Sequence, residues 1–212
     1  MTMPEDVREK ILREALVEVP SRGFTDGVLT AAADRAGVTL AEAHAVFPDG
    51  AAGLIAAFSL WADRAMERRM QALENPSVRA RITAAVRARL EALSPHREAT
   101  RRAAAFLALP QNGVLAARLL FESVDAMWRA AGDRSSDFNY YTKRGLLAGV
   151  YASAFVYWLS DASDGHEATW KFLDARIADV MNIQKARGTI AESLSKLPDP
   201  LGILAALRSP AP

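Results

Sequence analysis

Between Gly145 and Leu159 the chain runs for fifteen residues without a charge, GLLAGVYASAFVYWL. A mean helix of about 11–12 residues needs far less apolar surface, and a bilayer span needs about 20 residues. The run therefore predicts a helix buried in protein rather than in lipid. Before it, Asp133 to Arg144 places serines and acids first, then Phe138, Tyr140, Tyr141, Lys143 and Arg144. Oxygen-bearing side chains suit a helix N-terminus because they satisfy amides that have no partner within the helix. The reading is a central buried rod over residues 133–159 with an aromatic and basic entrance. Its small residues, Gly145, Ala148, Gly149, Ala152, Ser153 and Ala154, leave space for a closely packed neighbouring helix or for a lipid tail. Leu147, Val150, Tyr151 and Ala154, together with Leu120, Phe121 and Val124 upstream, are the candidate lining of an internal tunnel.

The remaining segments read as helices too. Pro4, Glu5 and Asp6 suit a first turn, and Val7, Ile11, Leu12, Ala15, Leu16 and Val19 keep helical spacing. Gly and Pro clusters divide the rest of the chain into further helices, about ten in all, and no window alternates as a strand does. The expected class is all-α. Three segments are expected: residues 1–50, residues 51–182, and an amphipathic tail over 183–212. In that tail Ile183, Ala186, Ile190, Leu194 and Leu197 recur at steps of three or four, with Leu201, Ile203, Leu204 and Leu207 after them. Such a stripe docks on its own domain, on a partner, or in the headgroup layer of a membrane.

Much chemistry is excluded. There are no cysteines, so disulfides and thiolate chemistry are absent. His44, His96 and His166 lack a second ligand at helical spacing, which predicts no metal site. No phosphate-binding loop, nucleophile elbow or zinc-protease helix occurs, and Asp133, Asp137 and Asp161 suit helix caps better than a catalytic pair. No cofactor is expected, and the chain is not expected to be an enzyme. The opening MTMPEDVREKI has no apolar core, unlike a signal or transit peptide, so a bacterial cytoplasmic protein is expected.

Residues 11–55 run ILREALVEVPSRGF, then LTAAADRAGVTLAEAHAVFPDGAAGLI. The order of helix, Gly-aromatic turn, helix, AGV turn, short helix and Phe-Pro is similar to the N-terminal helix-turn-helix of TetR-type regulators. Such regulators carry a Lys soon after the turn, a Tyr near the end of the recognition helix and a Lys after Phe-Pro. Leu40, His44 and Gly50 stand here instead. Residues 26–50 hold one arginine against four acids, a net of −3, and phosphate contacts by cations dominate DNA affinity. Nucleic acid is therefore not an expected partner.

A second resemblance is more specific. It is carried by Met127-Trp128, Ala131-Gly132-Asp133, Ser135-Ser136-Asp137-Phe138, Tyr140-Tyr141-Thr142 and Lys143-Arg144. LPQN at Leu109–Asn112 and the helix from Thr169-Trp170 to Met181 add to it. The chain resembles the lipid-binding accessory family of coenzyme Q (ubiquinone) biosynthesis, which keeps a TetR-like fold. The resemblance implies a carrier that binds isoprenoid lipid or phospholipid and presents a quinone intermediate to the demethoxyubiquinone hydroxylase. It implies a hydroxylase-facing patch of Asp125, Met127, Asp137, Tyr140, Tyr141 and Arg144. It also implies membrane contact through Ile190, Leu194, Leu197, Leu201 and Leu204, and a location peripheral to the bacterial inner membrane. A homodimer through the eighth and ninth helices is expected. Of two adjacent tyrosines about 100° apart on a helix, Tyr140 is expected to face outward. Changing Tyr140 to Ala and Arg144 to Glu would then leave stability nearly intact. Two other classes fit the residues: a ligand-responsive TetR-type transcription regulator and a general lipid carrier.

Overall fold

The computed structural model describes residues 4–73, 77–133 and 138–195. Among them are nine α-helices: α1 (Pro4–Arg22), α2 (Asp26–Arg35), α3 (Leu40–Val46), α4 (Gly50–Met70), α5 (Val78–Leu93), α6 (Arg97–Leu107), α7 (Gly113–Ala130), α8 (Phe138–Ser160) and α9 (Glu167–Ser195). There is no strand among these residues, and the fold is all-α. The helix expected near Leu201–Leu207 lies outside the described residues, as do Leu197, Leu201, Leu204 and Asp137. Across the boundary expected between residues 182 and 183, α9 continues as one helix that includes Ile190 and Leu194. The chain divides into two compact units, Met1–Leu173 and Asp174–Pro212.

The helix-turn-helix forms as its spacing requires. Ile11, Leu12, Ala15, Leu16 and Val19 of α1 are buried together with Val28, Leu29, Ala32 and Ala33 of α2. At the start of α3, Thr39 Oγ1 accepts from the Glu42 amide at 3.3 Å while the Glu42 carboxylate accepts from the Thr39 amide at 3.0 Å. This reciprocal cap satisfies two amides that the helix cannot. Arg35, the one arginine of residues 26–50, bonds to the Glu18 carboxylate and donates to the Glu14 carbonyl at 2.9 Å. The outward residues of α3 are Leu40, Ala41, Glu42, His44 and Ala45.

The expected central rod is not surrounded by protein. Among the helices of the first unit α4 packs against both α5 and α7, while α7 packs against α8. Along α4, Leu54, Ile55, Ala57, Phe58, Ala62, Asp63, Met66 and Met70 are buried. In α8 one face is covered, through Arg144, Leu147, Val150, Tyr151, Ala154 and Trp158. Its other face, Gly145, Gly149, Val156 and Tyr157, is exposed. Added Cβ atoms at Gly145 and Gly149 would meet nothing within 4 Å. An uncharged run showed that no face of this helix is solvated by charge. It did not show that every face is covered within one chain.

The corner from α8 into α9 is pinned by Asp161, whose carboxylate accepts from the Ser163 amide at 2.8 Å, the Thr169 amide at 2.9 Å and the Thr169 hydroxyl at 2.6 Å. Burial alone would raise its pKa, but these bonds win and hold it well below the ordinary carboxylate range. Trp170 Nε1 closes the corner by donating to the Gly165 carbonyl at 2.7 Å, and Arg87 stacks over the Trp170 ring at 4.8 Å. Asp161 is a cap, as expected.

Candidate functional site

A cavity of about 290 Å³ lies among α4, α5, α6, α7 and α8. Ile55, Phe58, Leu93, Ala103, Leu107, Leu119 and Leu120 make apolar walls, and α8 contributes Tyr151, Ala152, Phe155 and Val156. Ser59, Arg89, Thr100, Ser123 and Tyr151 make the lining partly polar. Arg89 of α5, 4% exposed, reaches Asp63 of α4 through Nε at 2.6 Å. Its Nη2 donates to Ser59 Oγ and Ser123 Oγ, each at 2.9 Å, and its Nη1 donates to Tyr151 Oη. Ser123 Oγ donates its own proton to Asp63 Oδ2 at 3.2 Å. Burial alone would lower the Arg89 pKa, but the facing Tyr151 and Asp63 outweigh it and keep the guanidinium charged. Burial raises the Tyr151 pKa above the ordinary phenol value, so that group stays protonated.

Two of the seven expected lining residues, Leu120 and Tyr151, stand on this wall. Val124, Leu147, Val150 and Ala154 are packed in the core away from it, and Phe121 is 44% exposed on the outer surface of α7. The difference is one of phase. The α8 face toward the cavity runs through residues 151, 152, 155 and 156, rotated from the stripe of 147, 150 and 154. Arg89, Asp63, Ser59 and Ser123 were not anticipated. A signal for the first existed: Arg89 stands at helical spacing with the buried Ile82, Val86 and Leu93, where a charge needs a partner. Asp63 interrupts the buried stripe of α4 in the same way.

The expected partner patch resolves into an outer lip and an inner latch. Asp125 of α7 receives Tyr140 Oη at 3.0 Å, Arg144 Nε at 2.7 Å and Arg129 Nη1 at 2.9 Å. Arg144 Nη1 reaches Asp133 at 3.3 Å, and Lys143 Nζ reaches the same carboxylate at 2.8 Å. Trp128 Nε1 donates to the Lys143 carbonyl at 3.2 Å. These bonds tie the C-terminal end of α7 to the head of α8. Gly132, at φ +85°, lets the chain turn directly after α7, because a side chain is strained in that left-handed region.

Three expectations change here. Arg144 is 3% exposed and Met127 is 0% exposed, so neither presents itself to a partner. Arg144 is held inward by two carboxylates and by the Tyr140 ring, 3.4 Å from its guanidinium carbon, and Met127 fills the core beneath. Tyr141, 69% exposed, is the outward tyrosine. Tyr140 lies half-buried because its hydroxyl is bonded to Asp125. Tyr140 meets Tyr141 edge-on with ring centroids 5.1 Å apart and lies 6.5 Å from Phe121. Burial raises the Tyr140 pKa, as does its bond to Asp125.

Several known proteins are similar to this chain. A family model described as COQ9 matches residues 114–184, which covers α7, α8 and the first turns of α9. Ubiquinone biosynthesis protein COQ9, mitochondrial, of Rattus norvegicus is 36% identical over 188 residues, covering 84% of this chain and 60% of the relative. The Homo sapiens protein of that name is 35% identical over 188 residues, covering 84% and 59%. Ubiquinone biosynthesis protein COQ9-B, mitochondrial, of Xenopus laevis is 32% identical over 198 residues, covering 89% and 67%. The chain thus spans about three fifths of the length of the rat and human relatives. Among solved structures, the TetR transcriptional regulator from Nitrosomonas europaea superposes with a TM-score of 0.65 at 22% identity, covering 81% of this chain and 95% of that one. That likeness is one of fold.

The division into latch and lip has measurable consequences. Removing one partner of a buried ion pair costs about 3–5 kcal/mol, so Arg144→Ala should lower the denaturant midpoint strongly, whereas Tyr141→Ala should stay within about 0.5 kcal/mol of the parent. The Asp125 pKa has two opposed contributions. Burial raises it, but the bonds from Arg144 and Tyr140 and the charges of Arg129 and Arg144 win and hold it below the ordinary value. Its stabilising contribution is therefore present above the unfolded value of about 3.9 and is lost as pH falls through the folded one. Melting temperatures should place Asp125→Asn well below the parent at neutral pH, with the gap closing as pH drops below about 4.

Proposed function

This chain belongs to the COQ9 family, and on that premise we propose that it is a non-catalytic lipid carrier of ubiquinone biosynthesis. The cavity among α4–α8 takes an isoprenoid or other lipid, and the protein presents a quinone intermediate to the demethoxyubiquinone hydroxylase at a membrane surface. The observation that carries this reading is a coincidence of position. The segment matched by the family model contributes one wall of an apolar cavity and also the exposed aromatic cluster at the head of α8. Apolar pockets with a few convergent polar groups are the usual form of a small-molecule site. The lip of Phe121, Tyr140 and Tyr141, with Asp125 behind it, is the hydroxylase-facing surface, since exposed aromatics supply contact area with a polar handle. Arg144 and Met127 act from behind by fixing Tyr140 and α7.

Membrane contact falls to the segment containing Ile190, Leu194, Leu197, Leu201 and Leu204, whose spacing is amphipathic. The bilayer, where an isoprenoid tail is soluble, is the bacterial inner membrane. Operator binding is not part of this reading. Residues 26–50 are net negative, and Arg35 is engaged by Glu14 and Glu18 on α1, so the surface that meets phosphate in a regulator has little to offer it.

The open face of α8 supports a homodimer, because an exposed apolar face with glycines at i and i+4 lets a second helix approach closely. Gly149→Glu should fold as the parent does, there being open space at that position, and should sediment as a monomer where the parent sediments as a dimer. A monomeric parent would remove this part of the proposal. The carrier reading as a whole is tested by mass spectrometry of lipid extracted from purified protein. Isoprenoid quinones or their precursors are expected at close to stoichiometric amounts. Mixed fatty acids alone would point to a general carrier, and lipid-free protein would refute the reading.

A further inference from the structure

We propose that the corner between α6 and α7 is a lipid-surface contact, with Leu109 and Val114 entering the headgroup layer of an anionic bilayer. This inference rests on the carrier reading and adds a contact on the helical bundle to the one that reading gives to residues 190–204.

The corner is apolar where a turn is ordinarily polar. Residues 103–117, AAAFLALPQNGVLAA, form a second stretch of fifteen without charge. Leu109 and Val114 stand on either side of the 3-10 turn Pro110–Asn112 and are 45% and 85% exposed. Connecting turns meet water and usually carry polar side chains, so two branched apolar residues held outward at one turn are out of place there. The turn itself is fixed. Asn112 Nδ2 donates to the Phe106 carbonyl at 2.8 Å, and the Asn112 amide donates to the Leu109 carbonyl at 2.9 Å. Behind it, Ala99 and Ala103 of α6 and Leu119 and Val124 of α7 are buried in the bundle, so only the tip is free to enter lipid. No single described helix is long and apolar enough to cross a membrane. The helical stretches ending at Leu107 and starting at Pro110 are so together, but the chain bends by 95° between them. That geometry suits a shallow insertion of about 5–10 Å and not a span.

A bilayer fits this corner better than a protein does. A stable protein contact buries about 800 Å² on each partner in complementary shape, which a tip of two side chains does not offer, whereas a fluid surface needs no such match. Charge agrees. Arg101 and Arg102 precede the uncharged stretch and Arg118 follows it, with no Asp or Glu from residue 99 to residue 121. Arg101 and Arg102 share the Glu98 carboxylate at 3.3 Å each, and Arg118 meets Glu122 only at 4.0 Å, both side chains being more than half exposed. Three arginines against two glutamates leave a net of +1 over residues 98–122. That charge favours anionic lipid modestly, and taking Leu109 and Val114 out of water supplies the larger share. The corner is also an edge of the cavity. Leu107, Ala108, Ala116 and Leu120 line it, and Ala108 is exposed. With the tip in the headgroup layer, an apolar ligand passes between bilayer and cavity without crossing water.

The test uses the full chain and vesicles of phosphatidylcholine with phosphatidylglycerol as the minor component. Because the sequence has no cysteine, Val114→Cys takes a single nitrobenzoxadiazole dye at the tip, and Ala41→Cys takes it on the exposed face of α3 as a control. On adding vesicles the dye at 114 should brighten and shift to the blue, and the dye at 41 should not. Val114→Glu should keep the parent's melting temperature, the site being exposed. It should co-sediment with vesicles about tenfold more weakly, since taking one valine out of water accounts for that factor. An unmoved dye at 114, equal responses at 114 and 41, or unchanged sedimentation of Val114→Glu overturns the corner contact and leaves membrane contact through residues 190–204 standing. A blue shift without vesicles that grows with protein concentration assigns the corner to a contact between copies and likewise overturns it. A parent that does not co-sediment overturns the membrane part of the carrier reading and this inference together.

Discussion

Four helices of the first unit meet at one ion pair. Asp63 on α4 and Arg89 on α5 are both almost fully buried, and the guanidinium also reaches Ser59 on α4, Ser123 on α7 and Tyr151 on α8. A buried pair of this kind is seldom the most stabilising solution, since desolvation offsets much of the attraction and apolar residues of similar volume often do as well. It is, however, intolerant of partial loss, because each surviving partner would be left charged in a dry place. The pair therefore fixes the mutual rotation of α4, α5, α7 and α8 more strictly than apolar packing would. The cavity beside it inherits that rigidity, and the polar groups on its wall have their hydrogen-bonding directions set in advance.

The second organising cluster joins α7 to α8 near the surface. Six of the residues that carry the family resemblance belong to it: Trp128, Gly132, Asp133, Tyr140, Lys143 and Arg144. Gly132 turns the chain, Asp133 receives Lys143 and Arg144, Trp128 caps a carbonyl of α8, and Arg144 lies under Tyr140. Part of that pattern is thus the mounting of the exposed rings. The residues able to touch another molecule are fewer, chiefly Tyr141 and Phe121 with the edge of Tyr140. A mounting built from charge-assisted bonds presents these rings with little freedom to lose on association, and freedom lost is a principal cost of binding.

Much of this was legible in the chain. Helical spacing of apolar residues and the Gly and Pro punctuation placed the helices and the helix-turn-helix, because both signals are local. Spacing does not specify which partner covers which face. The uncharged stretch of α8 was read as central, yet α4, which carries Asp63, Arg64 and Glu67, is flanked on more sides. Tyr140 and Tyr141 were assigned in the wrong order because their orientation depends on Asp125, fifteen residues upstream, through a bond that no local pattern records. The polar cluster on the cavity wall combines residues 59, 89, 123 and 151 with Asp63 behind them, and a constellation assembled from four helices leaves only a faint trace in any one of them. That trace was a charged residue on an otherwise apolar stripe.

The cap at the start of α3 carries a consequence for how this surface tolerates change. Glu42 occupies the outward surface where a regulator needs cations, and the same carboxylate holds the Thr39 amide and hydroxyl. Replacing it with lysine would gain a phosphate contact but would fray the short helix that presents it, since losing a cap costs roughly 1 kcal/mol. A change toward phosphate binding on this surface would therefore begin with a step that weakens the helix presenting it, so that local folding opposes the change.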